Sequence, residues 1–128
     1  MTIKQTEKVV LCIEDNFLNR RLVRKILSSR GYTVLEAEDG QKGWEMVQEL
    51  KPPLILMDIN LPKIDGEEVT KRIKADPTLK HIPVLALTAS AMRGDRERFL
   101  GAGCDDYLSK PIQPLDLLDK VAKHYPKK

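Results

Sequence analysis

The sequence has no run of eighteen apolar residues, so it offers no candidate transmembrane helix. Its opening, MTIKQTEKVV, lacks the charged, then apolar, then small-residue order of a secretory signal. A cytoplasmic protein with no membrane partner is therefore expected. Cysteine is scarce: Cys12 lies inside an apolar run and Cys104 in a glycine-containing loop. Two cysteines with neither C-x-x-C spacing nor histidine partners make no disulfide framework and no zinc cluster, and two free thiols are expected. A charge excess of one sign is also missing. The 22 Lys and Arg alternate with 19 Asp and Glu for a net charge of +3, which is not the one-signed stripe of a nucleic-acid binder. Sequence repeats and low-complexity tracts are absent as well.

What is present is regular alternation. Apolar runs rich in β-branched residues recur at Val9–Ile13, Thr33–Ala37, Leu54–Met57 and Val84–Leu87, and more weakly at Tyr107–Leu108, which predicts five strands. Between and after them, apolar residues fall at helical spacing: Leu18, Leu22 and Ile26 with Val23 and Leu27; Trp44, Val47 and Leu50; Val69 with Ile73; Phe99 with Leu100; and Leu115, Leu118, Val121 and Ala122. Gly31, Asp39-Gly40, Pro52-Pro53 and Asp76-Pro77 punctuate the boundaries. Strict βα alternation requires right-handed crossovers and a parallel sheet covered by helices on both faces. The continuously apolar LILM and VLAL segments suit such a sheet. One α/β domain over residues 1–128, with a core of about 8–124, is expected, with no effector domain within these residues. Met1 and the polar tail are expected of a free-standing protein, and a domain cut from a longer one fits them as well.

Ligands of open parallel sheets bind at the carboxyl ends of the strands, where strand order reverses. Reading off those ends gives Glu14-Asp15 after the first strand, Asp58 after the third, Thr88 after the fourth and Lys110-Pro111 after the fifth. Three carboxylates brought together repel unless a cation relieves them, and an all-oxygen set suits a hard ion such as Mg²⁺. With a lysine to neutralise phosphoryl oxygens and one carboxylate as nucleophile, this is equipment for forming an acyl phosphate.

These segments resemble the response-regulator receiver family: E-D-N after the first strand, L-I-L-M-D-I-N-L-P-K-I-D-G around the third, A-L-T-A at the fourth and Y-L-S-K-P at the fifth. The resemblance covers essentially the whole chain, with motifs in order at four separate strand ends. It implies a doubly wound (βα)5 sheet in the flavodoxin-like order 2-1-3-4-5. It further implies that Asp58 is the phosphoacceptor, that Mg²⁺ is the cofactor, and that Asp15, Asp58 and the main-chain carbonyl of Asn60 ligate it while Glu14 acts mostly through water. Glu14 stands where the family often has Asp, which leaves its geometry open. By the same resemblance Lys110 holds phosphoryl oxygens, Thr88 hydrogen-bonds one of them, and Tyr107 is the switch aromatic. The Lys110–Pro111 peptide is expected to be cis, Asn60 and Ser90 to tune slow self-dephosphorylation, and the output face to include Arg93, Arg96 and Arg98. The implied partner is a histidine kinase or histidine phosphotransfer protein. Leu18, Asn19 and Leu22 are assigned to that contact, with the basic residues Arg20, Arg21, Arg24 and Lys25 at its rim. E-D-N-x-x-N and A-G-C-D-D-Y-L-S-K-P look like single-domain cell-division receivers and hybrid-kinase receivers alike.

Singly, each residue has a plainer reading: Asp15 or Asp65 as a helix cap, Thr88 as a strand residue, Lys110 as an exposed cation, Tyr107 as a half-buried aromatic, and Trp44 as packing on the sheet. His81 and His124 read as surface histidines, and Pro62 and Asp65-Gly66 as turn residues without chemistry. Three other functions fit the residues at the strand ends less well. A flavodoxin-like cofactor binder would need a Gly/Ser/Thr phosphate loop where Glu14-Asp15-Asn16 stands. An aspartyl-phosphate hydrolase would carry Asp-x-Asp where Asp58-Ile59-Asn60 stands. A constitutive interaction module on the same fold would not need every reactive position filled.

Overall fold

Three acidic or amide side chains start three helices. Asn16 accepts from the amide of Asn19 at 2.9 Å, Asp39 from Lys42 at 2.8 Å and Asp65 from Glu68 at 2.9 Å. Each satisfies an amide that the first helical turn leaves without a partner. The computed structural model describes residues 7–59, 61–89 and 93–126. In chain order the elements are β1 (Lys8–Ile13), α1 (Phe17–Ser28), β2 (Tyr32–Ala37), α2 (Gly40–Leu50), β3 (Ile55–Asp58), α3 (Gly66–Ala75), β4 (Val84–Thr88), α4 (Arg93–Ala102), β5 (Asp106–Ser109) and α5 (Pro114–His124). Gly31 follows α1 with φ +85, a conformation that costs a glycine little. Pro114 opens α5, where its missing amide hydrogen is no loss.

All four strand pairings are parallel and the sheet order is β2-β1-β3-β4-β5. The side-chain period of two sends neighbouring residues to opposite faces. Leu11 and Ile13, Ile55 and Met57, and Val84 and Ala86 join Val69, Ile73 and Phe99 on one face. Val10 and Cys12, Leu54 and Leu56, and Leu85 and Leu87 join Val23, Leu27, Leu117 and Val121 on the other. β3 and β4 are buried along their whole length, whereas the edge strands β2 and β5 are only partly so. That accounts for the continuous apolar runs of the inner strands and for the weak β5 signal.

Sequence order reverses at β1, which pairs with both β2 and β3. Cys12 lies opposite Leu56 and Ile13 opposite Met57, so Glu14 and Asp15, just past the end of β1, run alongside Asp58. Beyond them, Asp58 is in register with Leu87, and Thr88 with Ser109. Among the described residues no helix is long and apolar enough to cross a membrane.

Candidate functional site

The reversal point gathers the acids. Glu14, Asp15 and Asp58 each present a carboxylate oxygen, all within 4.8 Å of one another. Glu14 and Asp58 are buried and Asp15 is exposed, which leaves the cluster open to solvent on one side. Lys110 reaches in from the end of β5, its Nζ 2.7 Å from Glu14 Oε1 and 3.3 Å from Asp58 Oδ2. Three carboxylates gathered this closely favour a bound cation, and the all-oxygen donor set fits a hard divalent ion. The Lys110–Pro111 peptide is cis.

Glu14 is held from several sides. Asn19 Nδ2 donates to its Oε1 at 2.9 Å and the Asn16 amide approaches its Oε2 at 3.5 Å. Burial pushes the Glu14 carboxyl up, but its hydrogen bonds with Asp58, Lys110 and Asn19 and the Lys110 charge outweigh that and hold it below the usual glutamate range. Lys110 is the complement: burial alone would lower its pKa, and Glu14 and Asp58 raise it. The lysine is therefore charged at neutral pH.

The backbone around Asp58 is equally constrained. The Ile59 amide bonds Leu87 O at 3.2 Å, and the Gly66 amide at the start of α3 bonds Ile59 O at 3.0 Å. Thr88 ends β4 with its side chain buried, and its carbonyl accepts from the Lys110 amide at 2.7 Å. Tyr107, half-buried on β5, packs on Phe99 with ring centroids 5.5 Å apart, and Lys120 Nζ lies 4.7 Å from its ring centroid. Neither thiol belongs to the chemistry. Both are free and buried; burial pushes Cys12 far up, and Cys104 to about 11.

The structure thus brings Glu14, Asp15, Asp58 and Lys110 together and places Thr88 on the neighbouring strand end. Asn60 and Ser90 lie outside the described residues, as do the side chains of Arg93 and Arg96; Arg98 pairs with Glu67 of α3 at 3.5 Å. Leu18 is 71% and Leu22 38% exposed.

The structure adds contacts to three of the sequence readings. Asn19, expected at the partner contact, turns its amide back to Glu14. Arg20, expected at the rim, folds over the acidic turn and bonds the carbonyls of Glu14 and Asp15. His124, read as a surface histidine, has its Nε2 2.9 Å from Asp106 Oδ2. Among the turn residues to which the sequence assigns no chemistry, Gly66 matters most: a Cβ there would lie 2.0 Å from the Asp58 carbonyl oxygen. The D-G step before α3 carries that signal, but as a turn rather than as a support for Asp58.

Comparison with known proteins agrees with this geometry. The profile of the response regulator receiver domain matches residues 10–122. The polar-differentiation response regulator DivK of Brucella anthropi is 48% identical over 117 residues, spanning 91% of this chain and 95% of that protein. Among solved structures, a chemotaxis response regulator of Vibrio cholerae superposes with a TM-score of 0.87 at 28% identity, covering 92% of this chain and 98% of that one. The receiver domain of a Pseudomonas aeruginosa sensor histidine kinase, with a magnesium ion coordinated in its active site cleft, gives a TM-score of 0.86 at 35% identity over 93% of this chain and 98% of that one. With the acids at the β1 and β3 ends, the lysine at the β5 end and this match along nearly its whole length, the chain belongs to the response regulator receiver domain family of two-component signalling.

Proposed function

We propose that residues 1–128 act as a single receiver domain in the cytoplasm in which Asp58 accepts a phosphoryl group from a phosphohistidine of a histidine kinase or histidine phosphotransfer protein, with Mg²⁺ as cofactor. The observation that carries this reading is the cluster of Glu14, Asp15 and Asp58, with Lys110 bonded to two of the three. Asp15, Asp58 and the carbonyl of Asn60 would hold the ion, with Glu14 beside them. When bound, Mg²⁺ offsets the carboxylate charge and that of the incoming phosphoryl oxygens.

The chain's own residues supply the rest. One Asp58 carboxylate oxygen attacks phosphorus; the bond from phosphorus to the donor imidazole breaks, and its electron pair stays on the imidazole nitrogen. Lys110 exchanges its 3.3 Å contact with Asp58 Oδ2 for a phosphoryl oxygen. The Thr88 hydroxyl then donates to another phosphoryl oxygen, a bond available only in the modified state, and Tyr107 turns with it, shifting the population presented by the α4-β5-α5 face. Leu18 and Leu22 offer apolar contact to the donor protein. Slow self-dephosphorylation is the only hydrolysis in this scheme, so the module is a switch rather than a turnover enzyme.

Intact mass after incubation with acetyl phosphate and Mg²⁺ tests the reading. A gain of one phosphoryl mass is expected for the wild type, with none for Asp58→Asn or in EDTA. A wild type that stays unmodified by acetyl phosphate and by phosphorylated histidine proteins would leave a constitutive interaction module in its place.

A further inference from the structure

Arg20 lies on the first helix, where a cation usually faces solvent, yet its side chain is only 12% exposed. Its Nη1 donates to the carbonyl of Glu14 at 2.8 Å and to that of Asp15 at 3.1 Å. Its Nε donates to Glu36 Oε1 on β2 at 3.1 Å. Glu36 is held in turn by Arg24, whose Nε reaches Oε2 at 2.7 Å. The Arg20 amide bonds Asn16 O at 3.1 Å, so the base of the side chain is fixed in the first turn of α1. One planar guanidinium therefore spans β1, β2 and α1 and grips two successive carbonyls of the turn that carries the acids.

We propose that Arg20 is a positioning residue for the acidic centre, holding the backbone of the Glu14–Asp15 turn so that both carboxylates face Asp58. The proposal rests on the reading of Glu14, Asp15 and Asp58 as a divalent-cation site. Its physical content is geometric. Two adjacent carbonyls can share one nitrogen only if both point to the same side, which restricts the backbone rotations of Glu14 and Asp15 and hence the directions of their side chains. Groups that orient ligands in this way govern metal affinity although they never touch the metal. Lysine replaces the fork only in part, because a single ammonium lacks the planar spread that serves the two carbonyls and the Glu36 carboxylate together. Arg24 is a built-in control: it shares Glu36 but is 51% exposed and has no hydrogen bond to the acidic turn among those the structure gives it.

Charge and geometry predict opposite signs. A cation beside a cation site weakens binding by repulsion, so if Arg20 acted only through charge, Arg20→Gln would bind Mg²⁺ more tightly and Arg20→Lys would match the wild type. If Arg20 positions the turn, both variants bind more weakly. Mg²⁺ titration of the full chain by calorimetry, on wild type, Arg20→Gln, Arg20→Lys and Arg24→Gln, separates the two. The expected result is a loss of about tenfold in Mg²⁺ affinity for Arg20→Gln, a smaller loss for Arg20→Lys and none for Arg24→Gln. Equal or tighter binding by either Arg20 variant overturns the proposal, as does an equal loss in Arg24→Gln. Should Arg20→Gln fail to fold, Arg20→Lys alone decides on the same criterion. A wild type that takes up no Mg²⁺ removes the metal-site reading itself and this proposal with it, an outcome distinct from wild-type binding with unaffected variants.

Discussion

The α-carbon of Gly66 is packed so closely on Asp58 that a methyl group there would meet the Asp58 carbonyl oxygen at 2.0 Å. The first turn of α3 and the proposed phosphoacceptor are thus one packed unit, closed by the Gly66 amide on Ile59 O at 3.0 Å. Backbone cannot yield as a flexible side chain does. Gly66→Ala is expected to lower stability by about 1–3 kcal/mol, the ordinary cost of overpacking. Acetyl phosphate loading should slow with it, because Asp58 moves when α3 retreats. Urea unfolding checks the first part, through a lower midpoint at constant slope, and intact-mass time courses check the second. A variant as stable as the wild type would mean that α3 shifts freely.

The strand-end residues are legible in the sequence because topology alone brings them together. Strict βα alternation puts the carboxyl ends of all strands at one edge, so Glu14, Asp15, Asp58 and Lys110, at or just past the ends of β1, β3 and β5, can be grouped without coordinates, with the strand order taken from the family resemblance. The supports of those residues cannot. Arg20 and Arg24 have the same charge, sit one turn apart and face the same Glu36, and no pattern in the sequence says which guanidinium curls over the turn. Leu18 and Leu22 continue the helical spacing of Ile26, yet Ile26 is 8% exposed and Leu18 71%. Periodicity marks an apolar stripe but not where the sheet beneath it ends. The sequence marks Gly66 only as a turn residue, because closeness to Asp58 is a contact across the fold and leaves no local sign.

Asp106 should make stability depend on pH in the acid range. Its Oδ2 faces His124 Nε2 at 2.9 Å, and its Oδ1 accepts from the Tyr107 amide at 2.8 Å with Lys120 Nζ at 3.6 Å. Burial pushes its carboxyl up, but His124, the Tyr107 amide and Lys120 outweigh it and hold the pKa below the ordinary value of 3.8. A carboxylate depressed in the folded state stabilises the fold above its unfolded pKa, and that contribution is lost as pH falls through the folded value. Asp106→Asn is therefore expected to cost about 1 kcal/mol at neutral pH, the scale of one net hydrogen bond. The difference from wild type should shrink steadily below roughly pH 4. Urea midpoints for both proteins across that range check it; a difference that stays constant would show that Asp106 acts through shape and not charge.

Leu22 separates docking from chemistry. Val23, Ile26 and Leu27 bury one side of α1, while Leu18 and Leu22, four residues apart, form a second apolar strip that emerges beside the acidic turn. Leu115, at the start of the neighbouring α5 on the same edge of the sheet, is 70% exposed. Exposed leucines contribute little to folding, so Leu22→Ala should change stability by no more than about 0.5 kcal/mol. If the strip receives the histidine-bearing partner, the same truncation removes a buried contact from that complex, and kcat/KM for phosphotransfer from a protein donor should fall about tenfold, the equivalent of ~1.4 kcal/mol. Acetyl phosphate needs no docking surface, so loading by the small donor should keep its wild-type rate. The comparison of the two donors is what decides. Equal losses would place the defect in the acidic centre, and unchanged transfer from the protein donor would move the contact to another face of the domain.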